Sequence, residues 1–143
     1  MLKIVDIDHE TGTFGLEVNE DQKNFVASEL VILARAYIFR KFRSRAFYLF
    51  DGETAVGIAL YYDCPERNAY DFCQLFIDKN HQKKGYGREA IGLILDELKK
   101  DGKYDKVVMC YVEGNDVSRK LFESFGFIET EKDYDEIIME KTL

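Results

Sequence analysis

The sequence predicts an α+β fold in which helices flank a mixed central β-sheet. Three observations support this prediction. Strand-like segments and a hairpin signal fill much of the first half, a single strand–helix–strand unit follows, and a helix with a second hairpin ends the chain. Because 143 residues suffice for one sizeable core and not for two, we expect residues 1–143 to form a single domain.

The first 41 residues are predicted to hold one strand and two helices. Apolar residues indicate a strand over 2–7, and two glycines indicate a loop over 11–18. A short helix is expected over 21–26. Ser28 has the side chain of a helix N-cap, so a longer helix should run from there through Lys41. The apolar residues that this helix carries are Leu30, Val31, Leu33, Ala34, Tyr37 and Ile38.

A hairpin is predicted next. Two apolar stretches, 45–50 and 54–62, flank the dipeptide Asp51-Gly52. This dipeptide favours the positive φ angles that a tight two-residue turn requires. Since hairpin strands are antiparallel, the first part of the sheet should be antiparallel as well.

A β–α–β crossover follows the hairpin. It consists of a strand over 70–77, a helix over 87–100 and a strand over 106–112. The two strands should be parallel, with a right-handed connection. The second strand is almost entirely apolar, which indicates that both of its faces are covered. The apolar stripe of the helix is formed by Ala90, Ile91, Ile94, Leu95 and Leu98.

The chain ends in a predicted helix and hairpin. The helix should span 116–125 and stop at Gly126, and the hairpin strands should cover 127–130 and 136–140 around Asp133. An exposed last strand would make a homodimer easy to form. The apolar face of the helix is expected to comprise Val117, Leu121, Phe122 and Phe125.

Charge and composition narrow the function classes. The 27 acidic and 20 basic residues give a net charge of −7, which argues against nucleic acid as a partner and suits a cationic substrate. No apolar run approaches the roughly 20 residues that cross a bilayer. Charged residues also interrupt the N-terminus, so no signal peptide is indicated. We therefore expect a cytosolic protein with no membrane contact.

Cysteine and histidine usage predicts neither a disulfide framework nor a metal site. Cys64, Cys73 and Cys110 form no CxxC pair, and their odd number and wide spacing suit free thiols. His9 and His81 have no metal-ligand neighbours in the sequence.

The segment from 75 to 90 carries the strongest functional signal. An apolar strand enters a short polar loop with two glycines, and a helix begins at once. Backbone N–H groups at such a helix start point together and bind phosphate. The kinase-type string GxxxxGK[ST] is absent. The spacing Gly85-x-Gly87-x-x-Ala90, with Glu113 as a ribose partner, leaves a dinucleotide-binding protein as an alternative. That fold needs repeated β–α–β units, however, and only one crossover is present here.

Two motifs resemble those of the GNAT superfamily of N-acetyltransferases. The loop resembles the motif Q/R-x-x-G-x-G/A, and the segment 115–127 is similar to N-x-x-A-x-x-L-Y-x-x-x-G-F. The resemblance implies a GNAT fold that binds acetyl-CoA and transfers its acetyl group to an amine. The loop residues are Gln82, Lys83, Lys84, Gly85, Tyr86 and Gly87.

The N-terminal half resembles bacterial spermine/spermidine acetyltransferases. The likeness lies in Val18, Gln22 and 25–28, with Ala36-Tyr37 further on. It implies a polyamine acceptor, in keeping with the acidic charge. The alternative is an ordinary pair of amphipathic helices that lines an unrelated amine pocket.

The GNAT resemblance also implies the cofactor-binding residues. Backbone N–H groups from Lys83 to Arg88 would hold the pyrophosphate of CoA, and one strand N–H would polarise the thioester carbonyl. Asn115 would contact the cofactor through its amide, and it also suits a helix N-cap. The full set is Leu75, Phe76, Ile77, Gln82, Lys83, Lys84, Gly85, Tyr86, Gly87, Arg88, Asn115 and Phe122.

The sequence departs from the GNAT pattern at both usual acid–base positions. The tyrosine that protonates the leaving thiolate is replaced by Phe122, and the carboxylate of the polyamine-type enzymes falls on Cys73. The catalytic candidates are therefore Tyr111 and Cys73, with Tyr86 and Asp71 as other groups that could serve. The alternative is an acyl-CoA-binding module with little or no turnover.

Overall fold

The computed structural model describes residues 1–143 and contains one seven-stranded sheet with helices on both faces. The strands lie in the order β1-β2-β3-β4-β5-β7-β6, and β4–β5 is the parallel pair. The predicted α+β fold with a mixed sheet is confirmed. The strands are β1 (Leu2–Asp6), β2 (Arg45–Asp51), β3 (Thr54–Cys64), β4 (Ala69–Ile77), β5 (Lys106–Val112), β6 (Ile128–Asp133) and β7 (Glu136–Thr142). The α-helices are α1 (Glu29–Ile38), α2 (Tyr86–Asp101) and α3 (Asp116–Glu123).

The sheet separates two apolar layers. On β3, Ala59 and Tyr61 pack in the layer that contains α2 and α3, whereas Ile58 and Leu60 pack in the layer that contains α1. This division follows from the strand itself, because successive side chains point to opposite faces. All five residues of the stripe predicted for α2 are buried. The sheet therefore has one face for α1 and another for α2 and α3.

Both predicted hairpins are present, with changes at their ends. In the first, Asp51 pairs with Thr54, so the turn residues are Gly52 and Glu53, and only Gly52 has a positive φ angle. In the second, β7 lies between β5 and β6. The prediction that the last strand is exposed is therefore wrong, because β7 pairs with β5 along its whole length.

The exposed edge at this end of the sheet is β6, all six residues of which are exposed. This strand carries Glu129, Glu131 and Asp133. Charged side chains on an edge strand oppose pairing with another strand. The edge thus offers unpaired backbone groups and repels a second copy at the same time.

Three predicted helices differ from the structure. Over 21–26 the helix is reduced to a 3₁₀ turn, Glu20–Gln22, at whose start the Gln22 side chain accepts a hydrogen bond from the N–H of Asn19. α1 is capped by Ser28 as predicted but ends at Ile38 rather than Lys41. α3 ends at Glu123, where the prediction had 125. None of the helices is long and apolar enough to cross a membrane.

The buried faces of α1 and α3 also differ from the prediction. α1 buries Ile32 and Ala36, whereas Leu30, Tyr37 and Ile38 are 67%, 67% and 63% exposed. Since α1 is apolar on nearly every side, its periodicity does not indicate which face packs against the sheet. On α3, Phe122 is buried and Val117 is 78% exposed.

A buried carboxylate fixes the N-terminal loop against α1 and β2. Glu29 is 5% exposed and accepts hydrogen bonds from the N–H groups of Phe14, Gly15 and Leu16 at 3.1, 3.0 and 3.2 Å. The Tyr48 hydroxyl donates a fourth at 2.8 Å. The carboxylate thus satisfies backbone groups that would otherwise have no acceptor in this loop.

We expect Glu29→Ala to lower the free energy of unfolding by about 3 kcal/mol, because it leaves several buried donors without an acceptor. Urea denaturation followed by circular dichroism measures this loss. Glu20→Ala is the control, since the Glu20 side chain is 87% exposed and pairs only with Lys23. A change of about 0.5 kcal/mol or less is expected there. Equal losses in the two variants would contradict the role of Glu29.

Candidate active site

The central feature of the site is a gap between β4 and β5. The two strands pair only at Tyr70↔Val107 and Asp71↔Val108. Beyond these pairs the strands diverge, although β4 continues for six residues to Ile77. The edge of β4 that faces the gap therefore carries backbone groups without a neighbouring strand.

A β-bulge lies where the gap opens. Leu60 on β3 pairs with Gln74 and Tyr61 pairs with Phe72, so Cys73 has no partner. An extra residue bends its strand and changes the direction of side chains, and such bulges are common beside active sites. Here Cys73 packs in the α1 layer, and the Gln74 side chain on the same face accepts a hydrogen bond from the N–H of Ala27 at 3.4 Å.

Gly57 on β3 holds the far end of β4 in place. A Cβ atom at Gly57 would lie 2.6 Å from the backbone oxygen of Phe76 and 3.0 Å from Ile77. Only glycine permits this approach, because any side chain would displace β4. The course of β4 along the gap is thus fixed by its neighbour β3.

A cavity of about 80 Å³ lies in the gap. Its walls come from β4, β5, α3, the start of β7 and the loop before α1, and most of them are apolar. The lining, mainly apolar with a few polar groups, resembles that of a ligand site, although the cavity is smaller than the roughly 300–1,000 Å³ of typical ligand pockets. The lining residues are Phe25, Val26, Phe72, Cys73, Gln74, Leu75, Met109, Cys110, Tyr111, Val112, Asn115, Ser118, Phe122 and Glu136.

The loop before α2 presents free backbone N–H groups. No N–H group from Lys83 to Arg88 donates a hydrogen bond within the protein. Lys83 and Gly85 have positive φ angles of 63° and 84°. These left-handed residues, together with the start of a 16-residue helix, create a concave anion-binding arrangement.

Side chains around the loop fix its shape. Asp78, 7% exposed, accepts hydrogen bonds from the N–H groups of Glu17 at 2.9 Å and Asn80 at 3.1 Å. Gln82 donates to the oxygen of Ile77 at 2.9 Å and to Gln22 at 2.8 Å. The side chain of Gln82 is therefore occupied by the protein, and it serves to position the loop.

α3 connects the loop with the cavity. A Cβ atom at Gly87 would lie 3.4 Å from Leu121, and Arg88 donates a hydrogen bond to Ser124 at 3.0 Å. The other end of α3 lines the cavity through Asn115, whose Oδ1 caps the helix by accepting from the N–H of Ser118 at 3.3 Å. The free amides and the cavity thus lie at opposite ends of α3.

Phe122 and Tyr111 lie in the cavity wall on the α3 side. Phe122 is 4% exposed and packs edge-on against Phe72 and Phe127, with ring centroids 5.6 and 5.2 Å away. The Tyr111 hydroxyl donates to Glu129 at 2.6 Å. Desolvation and this carboxylate raise the pKa of Tyr111 to about 12. Its proton is therefore held by Glu129 and is hard to release.

The two thiols of the cavity are poor nucleophiles. Burial raises the pKa of Cys73 above its usual range, and the charge of Asp71 adds to this effect. Burial, Glu136 and Asp71 raise the pKa of Cys110 to about 12. Because the thiolate is the reactive form, little of either side chain is reactive at neutral pH.

Asp71 is a partly buried carboxylate at the closed end of the gap. Burial raises its pKa to about 6, with a further contribution from Glu136, whereas Tyr62 and Arg67 act in the opposite direction. Tyr62 lies directly across the β3–β4 pair. A carboxylate with such a pKa is charged at neutral pH and is well suited to accept a proton.

The profile of the acetyltransferase (GNAT) family matches residues 9–127. The chain belongs to this family. It is an acetyltransferase, and acetyl-CoA is its co-substrate.

One curated relative and two solved structures illustrate the similarity. The spermine/spermidine N(1)-acetyltransferase of Bacillus subtilis is 27% identical over 132 residues, covering 88% of this chain and 86% of the relative. An acetyltransferase from Bacillus subtilis in complex with CoA has a TM-score of 0.70 at 15% identity and covers 100% and 99% of the two chains. Spermidine N-acetyltransferase from Vibrio cholerae, in complex with CoA and spermine, has a TM-score of 0.65 at 22% identity over 80% and 73%. The predicted GNAT fold is confirmed.

The structure brings several predicted site residues of this GNAT protein together. Cys73, Leu75, Tyr111, Asn115 and Phe122 all line the cavity. Two others serve the fold through their side chains. Phe76 is buried in the α1 layer, and Tyr86 donates a hydrogen bond to Asp51 in the first hairpin.

Sequence reasoning missed two charged residues. Glu136 lines the cavity because β7 inserts beside β5. The sequence does not predict this strand pairing. Arg35 on α1 does not line the cavity, but its charge lowers the pKa of both Cys73 and Cys110. The incorrect orientation predicted for α1 concealed this residue.

The raised pKa of Asp71 predicts a pH-dependent stability. The neutral form is favoured in the folded protein, so this stabilisation is present below pH 3.8 and is lost as the pH rises through about 6. Relative to Asp71→Asn, the wild type should therefore lose up to about 3 kcal/mol between acidic and neutral pH. Denaturant unfolding across this range measures the difference. Asp133→Asn, at an exposed position, is the control, and the same pH dependence in both variants would contradict the assignment.

Proposed function

We propose that the chain transfers the acetyl group of acetyl-CoA to a primary amine of a small cationic molecule by direct attack. The supporting observation is the run of free N–H groups from Lys83 to Arg88, which α3 connects to the gap beside β4. A pyrophosphate at the amides and a pantetheine arm along β4 would bring the thioester to the cavity. The charge and shape of this surface support this function, and so does the membership of the chain in the GNAT family.

The roles proposed for the cofactor contacts follow from this placement. Amides from Lys83 to Arg88 bind the pyrophosphate. Backbone groups of Leu75 and Ile77 bind the pantetheine arm, and one N–H of β4 donates to the thioester oxygen as negative charge develops there. Asn115 contributes its free amide N–H₂ group.

The chemistry requires a neutral amine. An alkylamine with a pKa of roughly 10.4 is almost fully protonated at neutral pH, so a base must remove a proton. We assign this step to Asp71 acting through water, because its carboxylate lies two residues below Cys73 on the same face. The nitrogen then attacks the carbonyl carbon, the C–S bond breaks, CoA leaves as thiolate, and the acylated nitrogen loses its extra proton to the thiolate or to water. Because the CoA thiol has a pKa of roughly 8.5, the thiolate can leave without a proton donor, and none is required at the position of Phe122.

A polyamine is the first acceptor to test. The curated relative is named for spermine and spermidine, and the net charge of −7 attracts polycations. The rival function is an acyl-CoA-binding module without turnover, which Phe122 at the usual tyrosine position favours.

Thiol release from acetyl-CoA across a panel of amines separates the two functions. Amine-dependent release supports the transferase. Tight CoA binding in calorimetry, with no release for spermine, spermidine, lysine or aminoglycosides, would instead support the binding module.

We expect Gly85→Ala to weaken CoA binding at least about tenfold, because a Cβ atom disfavours the positive φ angle that aims the free amides. Gly102→Ala is the matched control, since Gly102 has a φ angle of 69° at the opposite end of the same helix. Both variants should lose about 1 kcal/mol of stability. Calorimetric titration with CoA measures the affinities, and equal affinities in the two variants would exclude the loop as the binding site.

We expect Asp71→Asn to lower kcat/KM roughly 10²–10⁴-fold if Asp71 is the base. In the wild type, the rate should fall as the pH drops through about 6, where the carboxylate becomes protonated. This acidic limb should disappear in the variant. Rates measured over the pH range test this, with Asp133→Asn as control. An unchanged limb in Asp71→Asn would assign the base to another group.

A further inference from the structure

Two glutamine side chains join the N-terminal segment to the loop that carries the free amides. Nε2 of Gln82 donates a hydrogen bond to Oε1 of Gln22 at 2.8 Å, and Nε2 of Gln22 donates to Oε1 of Gln82 at 3.2 Å. Gln82 also donates to the backbone oxygen of Ile77, the last residue of β4, at 2.9 Å. Both glutamines are partly buried. Because separating such an amide pair costs free energy, the pair fixes the distance between the two segments.

The backbone of Gln22 is bonded in turn to a wall of the cavity. Its oxygen accepts a hydrogen bond from the N–H of Phe25 at 2.9 Å. A second attachment follows at Ala27, whose N–H donates to the side chain of Gln74 on β4. Phe25 and Val26 line the cavity, and we call these two residues the N-terminal wall. This wall therefore depends on the loop before α2 at one end and on β4 at the other.

The N-terminal wall has no support from a helix or a strand of its own. It lies between the 3₁₀ turn Glu20–Gln22 and the start of α1 at Glu29. The N–H group of Val26 donates no hydrogen bond within the protein. A segment with so few bonds opens more readily than the core, so its position is sensitive to the two attachments.

The N-terminal wall borders the cavity on the face of the sheet opposite α2. Val26 packs in the α1 layer, whereas the apolar stripe of α2 packs in the other layer. The free amides belong to the start of α2. An amine that reaches a thioester in the cavity from the side away from these amides would therefore approach along the N-terminal wall.

Other bonds hold the loop before α2 independently of Gln22. The Glu17 N–H donates to Asp78 at 2.9 Å, and the Lys79 N–H donates to the backbone oxygen of Glu17 at 2.7 Å. Removal of the Gln22 side chain should therefore leave the loop in place and release only the N-terminal wall.

We propose that Gln22 is a positioning residue through which CoA, bound at the loop before α2, fixes the N-terminal wall for the acceptor. This inference rests on the proposed function and adds a form of regulation to its acceptor site. CoA at the free amides orders the neighbouring Gln82, and the amide pair extends this order to Gln22 and hence to Phe25. Because coupling between two sites is reciprocal, CoA should raise the affinity for the acceptor, and the acceptor should raise the affinity for CoA.

Hydrogen exchange measured by NMR tests this coupling without any acceptor. In the wild type, saturating CoA should slow exchange of the Phe25 and Ala27 amides at least about fivefold, the lower end of typical coupling between sites. Gln22→Ala should lose most of this slowing, while its affinity for CoA stays within about twofold of the wild type. Asn24→Ala removes an exposed amide side chain from the same segment and is the matched control. This control should retain the slowing seen in the wild type.

Steady-state kinetics test whether the N-terminal wall acts on the acceptor. The probe is spermidine, or the amine of the panel that releases thiol fastest if this is another. Gln22→Ala should raise the KM for this amine at least about fivefold and change kcat by less than about twofold, because the wall contributes to binding and not to the reacting bonds. Gln22→Glu should restore part of the affinity, because a carboxylate still accepts from Gln82 but no longer donates to it. A merely structural residue would lower stability and kcat together, without a separate effect on KM.

Three results would overturn the inference. These are equal slowing of exchange by CoA in Gln22→Ala and the wild type, no slowing in the wild type, or a fall in kcat without a rise in the KM of the acceptor. If no amine releases thiol although CoA binds, the proposed function fails. The exchange data then decide the inference by themselves, since they require CoA alone.

Discussion

The divergence of β4 from β5 is the constraint on which the site depends. Two paired positions hold the strands together at Tyr70 and Asp71, and beyond them β4 is supported from one side only. A strand with an unpaired edge needs other support, and β3 supplies it through the close approach at Gly57. A cavity and a row of unpaired backbone groups result without any interruption of the core.

The same divergence determines the electrostatics of the site. Because the gap opens directly above Asp71, this carboxylate lies at the boundary between packed sheet and cavity, where burial raises its pKa to about 6. The bulge at Cys73 then places two successive side chains on the α1 face. Glu136 reaches the cavity from β7 and acts on the pKa of Asp71, so carboxylates far apart in sequence form one charged site.

Much of this arrangement could be predicted from sequence, because it is local. The start of α2, the stripe on its buried face and the Asn115 cap depend on neighbouring residues. The charge of Glu136 at the site could not be predicted, since this residue enters the cavity through the insertion of β7 beside β5. α1 is apolar on almost all sides, and only its contact with β2 and β3 selects Ile32 and Ala36 as the buried residues.

Phe122, which the family resemblance places where a tyrosine is usual, fits the packing around it. Its ring lies edge-on to Phe72 and Phe127 and continues the core up to the cavity. Such aromatic contacts contribute about 0.5–1.5 kcal/mol each beyond the burial of area. A leaving thiolate is a weak base relative to an alkylamine, so proton removal from the acceptor is the more demanding proton transfer. The carboxylate of Asp71 and the apolar wall around Phe122 therefore suit the proposed catalysis, which relies on a base and on oriented substrates.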